Sequence, residues 1–285
     1  MELSGYIIEK YNDMRDAYTC NRLLCEAKKE KVNLKIVGVY DTAITEKCIL
    51  NSGRPLEKRD FVICRYKWGK VKDAIGLMAR KSYNSLENYN LYINKYEQIK
   101  KIHTRKLDFP KYILGTVKVP FERISKYLKI PFVAKGLESS MGDEIILINT
   151  EDEYNELLKT YGEKKEWLFE EFIKSSYGRD IRVYSIRGNV VACMQRISQN
   201  DFRANVALGA RTEVYEITPQ IKEIAKAIYY QTKLDFVGID LLLGDNKFVF
   251  CEINVMPGIK GIEKATGINV ANQIIKTIKG DFFYG

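Results

Sequence analysis

An α/β chain of two or three packed lobes is the fold class this sequence predicts. Its first ninety residues alternate helical and strand-like pieces, and its second half is rich in β-hairpins. Its 285 residues also exceed one typical domain. In the first stretch, Ala17 to Lys31 has helical periodicity, with Leu23, Leu24 and Ala27 on one side. Leu34 to Tyr40 and Asp60 to Arg65 are short apolar strands, the second ending in a charge. Such alternation favours a parallel sheet with helices on its faces, where ligands collect beyond the strand carboxyl ends. Arg65 is therefore a candidate anion contact, although an arginine exposed in a loop accounts for it equally well.

Residues 94 to 110 read as a helix leading into Leu107-Asp108-Phe109-Pro110. Pro131 to Lys135 is a strand, Gly136 to Glu144 a turn of small and polar residues, and Ile145 to Ile148 a second strand. A hairpin of this kind can lay backbone N–H groups over a phosphate. Neither the GKS/GKT of a Walker loop nor the GxGxxG of dinucleotide folds is present. Glu151 to Tyr161 is a helix entered through a capping box, Thr150 with Glu153 three residues on. Trp167 to Ile173 is strand-like, and Gly178 to Ile186 pairs with Val190 to Gln195 across Arg187-Gly188-Asn189. Asp201 to Asn205 is a polar loop, and Pro219 to Lys233 is a helix capped by Thr218. Gly258 to Gly267 reads as a glycine-bearing loop and Asn269 to Lys279 as a closing helix.

Between those last two helices lies the stretch with the most chemical content. The runs Phe236 to Leu243 and Lys247 to Asn254 flank Gly244-Asp245-Asn246, which predicts a hairpin. Side chains alternate along a strand, so Glu252 and Asn254 share a face that Asp240 can join from the partner strand. Two carboxylates and an amide oxygen suit Mg²⁺ that also carries substrate phosphates. A surface hairpin with a polar wet face is the plainer alternative.

Composition narrows the function classes. The chain is 46% hydrophobic and 29% charged, ordinary for a globular protein. No apolar run approaches the roughly 20 residues of a membrane span, and Met1 to Lys10 lacks a signal-peptide pattern. The expected location is therefore cytoplasmic, with no membrane partner. The six cysteines, Cys20, Cys25, Cys48, Cys64, Cys193 and Cys251, form no CxxC, and His103 is the only histidine. A zinc site, and a triad using any other histidine, are disfavoured. Cys64, Cys193 and Cys251 lie in apolar β-like runs and are expected to be buried thiols. The net charge of +9 favours an anionic small molecule and an acidic acceptor. The lysines are spread out and no RNA-recognition signature appears, so no nucleic acid is expected.

The second half holds an ordered series: Lys135, Glu171-Phe172-Ile173, Gly178-Arg179-Asp180-Ile181-Arg182, Asp201-Phe202-Arg203-Ala204-Asn205, Gly238-Ile239-Asp240, Glu252-Ile253-Asn254 and Pro257-Gly258, followed by Gly261-Ile262-Glu263-Lys264-Ala265-Thr266-Gly267. It resembles the ATP-grasp superfamily and, within it, the RimK-like (ribosomal protein glutamate ligase-like) carboxylate–amine ligases. The similarity runs from about Asn94 to Lys279. It implies an ATP-grasp fold behind an N-terminal parallel-sheet domain, with boundaries at 1–90, 91–170 and 171–285. It further implies ATP and Mg²⁺, two ions for which Mn²⁺ can substitute.

By the same resemblance, Lys95 and Lys135 match lysines that hold the phosphates, and Glu171, Phe172 and Ile173 match an adenine-binding linker. Asp180 matches a nucleotide-contacting acid. Arg203 and Asn205 match the loop that meets the γ-phosphate, with Arg203 and Lys135 in the catalytic role. Asp240, Glu252 and Asn254 match the metal ligands. Arg65, Arg179 and Arg196 are candidates for substrate carboxylates.

The implied reaction forms an amide or peptide bond through an acyl-phosphate, adding an amino acid such as glutamate to an acidic protein, peptide or metabolite. The alternatives are a peptide-crosslinking enzyme of the same fold and a non-catalytic nucleotide-binding regulatory module. A homodimer or homotetramer would be in keeping with relatives. One departure stands out: the phosphate-covering turn carries Ser139, Met141 and Glu144 where relatives are richer in glycine.

Overall fold

A computed structural model describes residues 2–15, 17–67, 69–139 and 143–283. The chain begins with β1 (Ser4–Glu9), α1 (Tyr18–Lys29) and β2 (Asn33–Gly38). The short strands β3 (Thr42–Ile44), β4 (Ile49–Asn51) and β5 (Arg54–Pro55) pair into a small antiparallel sheet. Next come β6 (Arg59–Cys64), α2 (Lys70–Gly76), β7 (Ala79–Tyr83), α3 (Leu86–Tyr92) and α4 (Lys95–Lys101). Strands β1, β2, β6 and β7 form a wholly parallel sheet in the order β2-β1-β6-β7. Its central strand is β1, an element beyond those expected from the sequence: Tyr6, Ile7 and Ile8 are all buried, so its pattern is a continuous apolar run.

Two antiparallel sheets follow. One contains β8 (Tyr112–Thr116), β9 (Phe132–Gly136), β10 (Ile145–Ile148) and β11 (Glu166–Glu171), ordered β10-β9-β11-β8. Its face is covered by α5 (Phe121–Leu128) and α6 (Glu151–Tyr161) around Phe132, Tyr154, Trp167 and Phe169. Helix α6 has both halves of the expected capping box. The other sheet contains β12 (Arg179–Ile186), β13 (Asn189–Ile197), β14 (Arg211–Val214), β15 (Phe236–Leu243) and β16 (Phe248–Asn254), with α7 (Pro219–Thr232) lying between β14 and β15 in sequence. Its order is β14-β13-β12-β15-β16. Helix α7 buries Ile221, Ile224, Ala225 and Ile228 in the core beside Val183, Val237 and Ile239.

Helices α8 (Lys260–Thr266) and α9 (Val270–Phe283) close the chain. The last helix packs on the first: Ile274, Ile275 and Ile278 share a core with Leu23 and Ala27. Arg22 pairs with Glu263 at 3.1 Å across the same seam.

Three expectations need correction. The helix expected over 94–110 ends at Lys101. Beyond it the chain passes through a turn at Arg105-Lys106, and Asp108 exchanges hydrogen bonds with Phe248 (2.9 Å) and Phe250 (2.8 Å). The edge of β16 thus satisfies backbone groups that a longer helix would have paired internally. The stretch Gly258 to Gly267 is not all loop: α8 occupies most of it, with Ile259 and Ile262 fully buried. Gly267 adopts a left-handed φ of +71° as that helix's cap, so it ends a helix rather than marking a loop. Cys251 is half-buried rather than core, unlike Cys64 and Cys193, for a reason given below. Among the described residues, no helix is long and apolar enough to cross a membrane.

Candidate active site

A cavity of about 450 Å³ lies where the β9–β10 hairpin, the end of β11, and the faces of β12, β13, β15 and β16 converge. The carboxylate hairpin forms its wall. Asp240 sits directly opposite Glu252 in the β15–β16 register, and Asn254 is one same-face step further along β16. A bulge beside Asp240 pairs Leu241 with Phe250, so Cys251 is the extra residue and joins the cavity face. That irregularity explains why an apolar-looking cysteine is not in the core. Burial still pushes its thiol up to about 12.

Asp240 is held on two sides. Arg182 donates to both its oxygens, at 2.7 and 2.5 Å, and Arg196 donates a third bond at 2.8 Å. Burial works to raise the Asp240 pKa, but the two guanidiniums prevail and hold it at about 2. Arg196 also forks onto Asp180 with two bonds of 2.6 Å. Asp180 has one such partner, and there burial dominates and pushes the carboxyl up to about 6.

The two lysines approach from the other side. Lys135 projects from β9 to Glu170 at 2.6 Å and to the Cys251 carbonyl at 3.4 Å. Burial opposes its charge, but Glu170 outweighs this and raises the pKa above the ordinary lysine value. Lys95, the first residue of α4, donates to the Ser139 carbonyl at 2.7 Å and lies 3.6 Å from Glu252. Lys67, beyond the end of β6, lines an adjoining pocket with Lys95, Ser139 and Glu252; burial and then Lys95 push its pKa down to about 8.

Around the rim, Glu171, Phe172 and Ile173 line the cavity at the end of β11. Phe172 meets Phe202 edge-on at 6.2 Å. Arg203 is bound to Asp201 at 2.7 to 3.2 Å and donates to the Ile145 carbonyl at 3.4 Å, bridging its loop to the β9–β10 hairpin. Asn205 borders the same space. Arg65 also reaches the cavity while donating to Glu9 at 3.0 Å. Arg179 is exposed and bonded to the Ser175 carbonyl. Arg196 is committed to Asp180 and Asp240 as described.

In the departing turn, Ser140, Met141 and Gly142 lie outside the described residues. Glu144 pairs with Lys165, which removes the bare anion that the sequence brought near a phosphate site. Its carboxylate folds over Gly136, 2.0 Å from where a Cβ would stand, so a larger residue there would push the Glu144 side chain aside.

Sequence reasoning missed Arg182, Glu170, Lys165 and Lys67. Arg182 was within reach, because alternation puts it on the face of Asp180, opposite Asp240 in register. Glu170, beside Glu171 in an otherwise apolar run from Trp167 to Ile173, was a signal too. Lys165 and Lys67 gave none, being loop lysines placed by tertiary contacts. Among the described residues, no three Asp, Glu, His or Cys side chains form a metal cluster; the set here is two carboxylates completed by an amide.

The fold is that of the ATP-grasp ligases. D-alanine–D-alanine ligase from Bacillus anthracis, solved with ATP, superposes with a TM-score of 0.73 at 18% identity, covering 99% of this chain and 98% of that one. The ATP-grasp ligase PsnB, solved with a minimal precursor, gives 0.74 at 16% identity over 98% and 99%. Residues 93–278 match the RimK-like ATP-grasp domain, so the chain belongs to that family and with it to the ATP-dependent carboxylate–amine ligases.

A "Probable alpha-L-glutamate ligase" of Citrobacter koseri is 27% identical over 92% of each chain. A "Ribosomal protein bS6--L-glutamate ligase" of Shigella boydii is 30% identical over 80% of this chain and 79% of the relative. With a "Probable alpha-L-glutamate ligase" of Methanococcoides burtonii the match is 37% identical but spans only half of that relative's length.

Proposed function

We propose that this chain uses ATP and Mg²⁺ to join an amino acid such as glutamate to a carboxylate of an acidic protein or peptide. The observation that carries the reading is the shared face of Asp240, Glu252 and Asn254 inside a cavity also reached by Lys135 and Arg203. Four of the five cleft carboxylates among the described residues already face a cation, Glu170 with Lys135, Asp180 with Arg196, Asp240 with Arg182, and Glu252 with Lys95, while Glu171 accepts from the Lys111 amide. A polyphosphate entering so balanced a site needs a divalent ion with it, and three hard oxygen donors suit Mg²⁺. Two ions are proposed, with Mn²⁺ able to substitute. Held there, the metal would neutralise phosphate charge.

A carboxylate is a poor electrophile towards an amine in water. Transfer of the ATP γ-phosphoryl group to its oxygen gives an acyl-phosphate and ADP. The amine then attacks the acyl carbon, forming the amide and expelling phosphate. In this reading Lys95 and Lys135 orient the phosphates, Glu171 to Ile173 border the adenine, and Asp180 anchors the nucleotide side through Arg196. Arg203, beside Asn205, presents a guanidinium fork to the transferring oxygens. Catalysis is positioning and charge neutralisation.

ADP release should require a carboxylate and an amine together. Mass spectrometry should find the product heavier by one amino-acid residue. Loss of water from a single peptide would instead indicate crosslinking, and tight ATP binding without turnover on any acceptor would indicate a regulatory module.

A further inference from the structure

Strand β16 closes the five-stranded sheet, so its outer edge has no strand of that sheet beside it. Groups from elsewhere in the chain take that edge instead. Asp108 serves Phe248 and Phe250, and farther along a side chain from α4 serves Ile253. The Gln98 carboxamide accepts from the Ile253 amide at 2.8 Å and donates to the Ile253 carbonyl at 2.9 Å. These are the two bonds that a neighbouring antiparallel strand would exchange with that residue. The same Nε2 donates to the Tyr92 carbonyl at the end of α3 at 2.7 Å, and Gln98 is only 3% exposed.

Ile253 stands between Glu252 and Asn254. Its N–H belongs to the peptide unit that follows Glu252, and its C=O to the unit that precedes Asn254. The clamp therefore holds both peptide planes from which the two donors project, while the Ile253 side chain turns into the core. It acts just past the bulge at Cys251, where the ladder to β15 is irregular and fixes the strand less firmly. Gln98 also lies one helical turn from Lys95. The Lys95 amide donates to the Leu137 carbonyl at 2.8 Å, and its ammonium to the Ser139 carbonyl at 2.7 Å. One turn of α4 thus ties the phosphate-covering turn to the strand that carries Glu252 and Asn254.

We propose that Gln98 is a positioning residue for the divalent ion: by clamping Ile253 it sets the spacing and aim of Glu252 and Asn254, and so favours a small ion over a large one. The inference rests on the ligase reading and deepens its metal site. Mg²⁺ demands near-ideal octahedral geometry at about 2.0–2.1 Å, whereas Ca²⁺ accepts irregular oxygen sets at about 2.3–2.6 Å. A loosened strand therefore costs Mg²⁺ more than Ca²⁺. A side chain that merely stabilised the fold would not separate the two ions.

Calorimetry of ADP binding to the full chain, without metal, with Mg²⁺ and with Ca²⁺, is the test. Gln98→Met keeps the side-chain length and removes both bonds to Ile253. In that variant the gain in ADP affinity from Mg²⁺ should fall roughly tenfold, and the gain from Ca²⁺ should stay within about twofold. Gln98→Asn, which draws the amide back by one methylene, should give the same ordering if the methionine variant does not fold. Leu157→Ala, which opens the core under the β8–β11 sheet, should lower Tm and leave both gains unchanged. Equal loss for the two ions, or no loss for either, overturns the proposal. Hydrogen exchange of the parent, followed by NMR, needs no variant. The Ile253 amide should exchange as slowly as that of Ile239 on the adjoining strand, and rapid exchange overturns the clamp. If neither ion changes ADP affinity in the parent, the metal assignment fails, and the ligase reading falls together with the proposal.

Discussion

The β12–β16 sheet and the β1–β7 sheet both end at the cavity, yet they bring charge to it in opposite ways. In the antiparallel sheet the charges are internal. Asp180, Arg196 and Asp240 are nearly sealed from water and hold one another by forked hydrogen bonds, with Arg182 at the edge. In the parallel sheet Arg65 is held by the buried Glu9 at 3.0 Å, and Lys10, beyond the end of β1, stands exposed over the rings of Tyr11 and Tyr40. Buried charges must be paired and fixed in register, so they can serve only one geometry. Rim charges in water are weakly paired and can accommodate different ligands. The contrast separates a rigid wall of interlocked ion pairs from an edge where the exposed charge is screened by water.

The sharpest way to break this contrast is Asp240→Ala. It removes a proposed metal ligand, takes from Arg182 its carboxylate and leaves Arg196 with Asp180 alone, so turnover should fall at least about a thousandfold. Loss of one partner from a buried ion network should also cost about 3–5 kcal/mol, read from the urea midpoint. Full activity in this variant would end the metal assignment. Arg196→Met leaves Asp180 without its fork and Asp240 with only Arg182. It should cost about 3 kcal/mol, and its Tm should fall well below that of Arg179→Met, whose side chain is exposed.

The pH dependence sharpens the same comparison. Asp240 is held at about 2, below the ordinary carboxylate value, so its contribution to stability is complete above about pH 4 and is lost as pH falls towards 2. Acid titration of the unfolding free energy should show that loss, and Asp240→Asn should remove it. On the other side of the cavity, the Lys67 pKa is lowered to about 8. Lys67 is therefore charged below pH 8 and loses its charge above it, so affinity for tripolyphosphate should fall about threefold to tenfold as pH rises through 8. Calorimetry on Lys67→Met should give a flatter profile. The smallest effect is expected at Lys165→Ala, which leaves Glu144 without its partner. The KM for ATP should rise about twofold to fivefold, and the double variant with Glu144→Gln should recover it.

Much of this architecture was readable in advance where local rules agree with one another. The hairpins β9–β10, β12–β13 and β15–β16 and the capped helices α6 and α7 follow from alternation, turn residues and caps close in sequence. Strand period put Glu252 and Asn254 on one face, but the bulge at Cys251 brings Asp240 onto it, since unbroken pairing would set Asp240 against Cys251. Reading failed where a distant segment supplied the partner. After Lys101 the helix does not continue: Asp108 takes its backbone bonds from the edge of β16 and the His103 amide from the Gln231 side chain. Cys251 left the core because of one extra residue in a strand.

From sequence alone came the α/β class, the motif order and the common face of Glu252 and Asn254, because each rests on periodicity within a strand or on residues whose chemistry survives any packing. Tertiary structure alone decided which counter-ion each carboxylate takes, that Lys165 neutralises Glu144, and that Arg182 and Arg196 converge on Asp240. Those pairings join residues tens of positions apart. Local chain statistics carry no term for such distances, whereas burial, charge balance and sheet order settle them together.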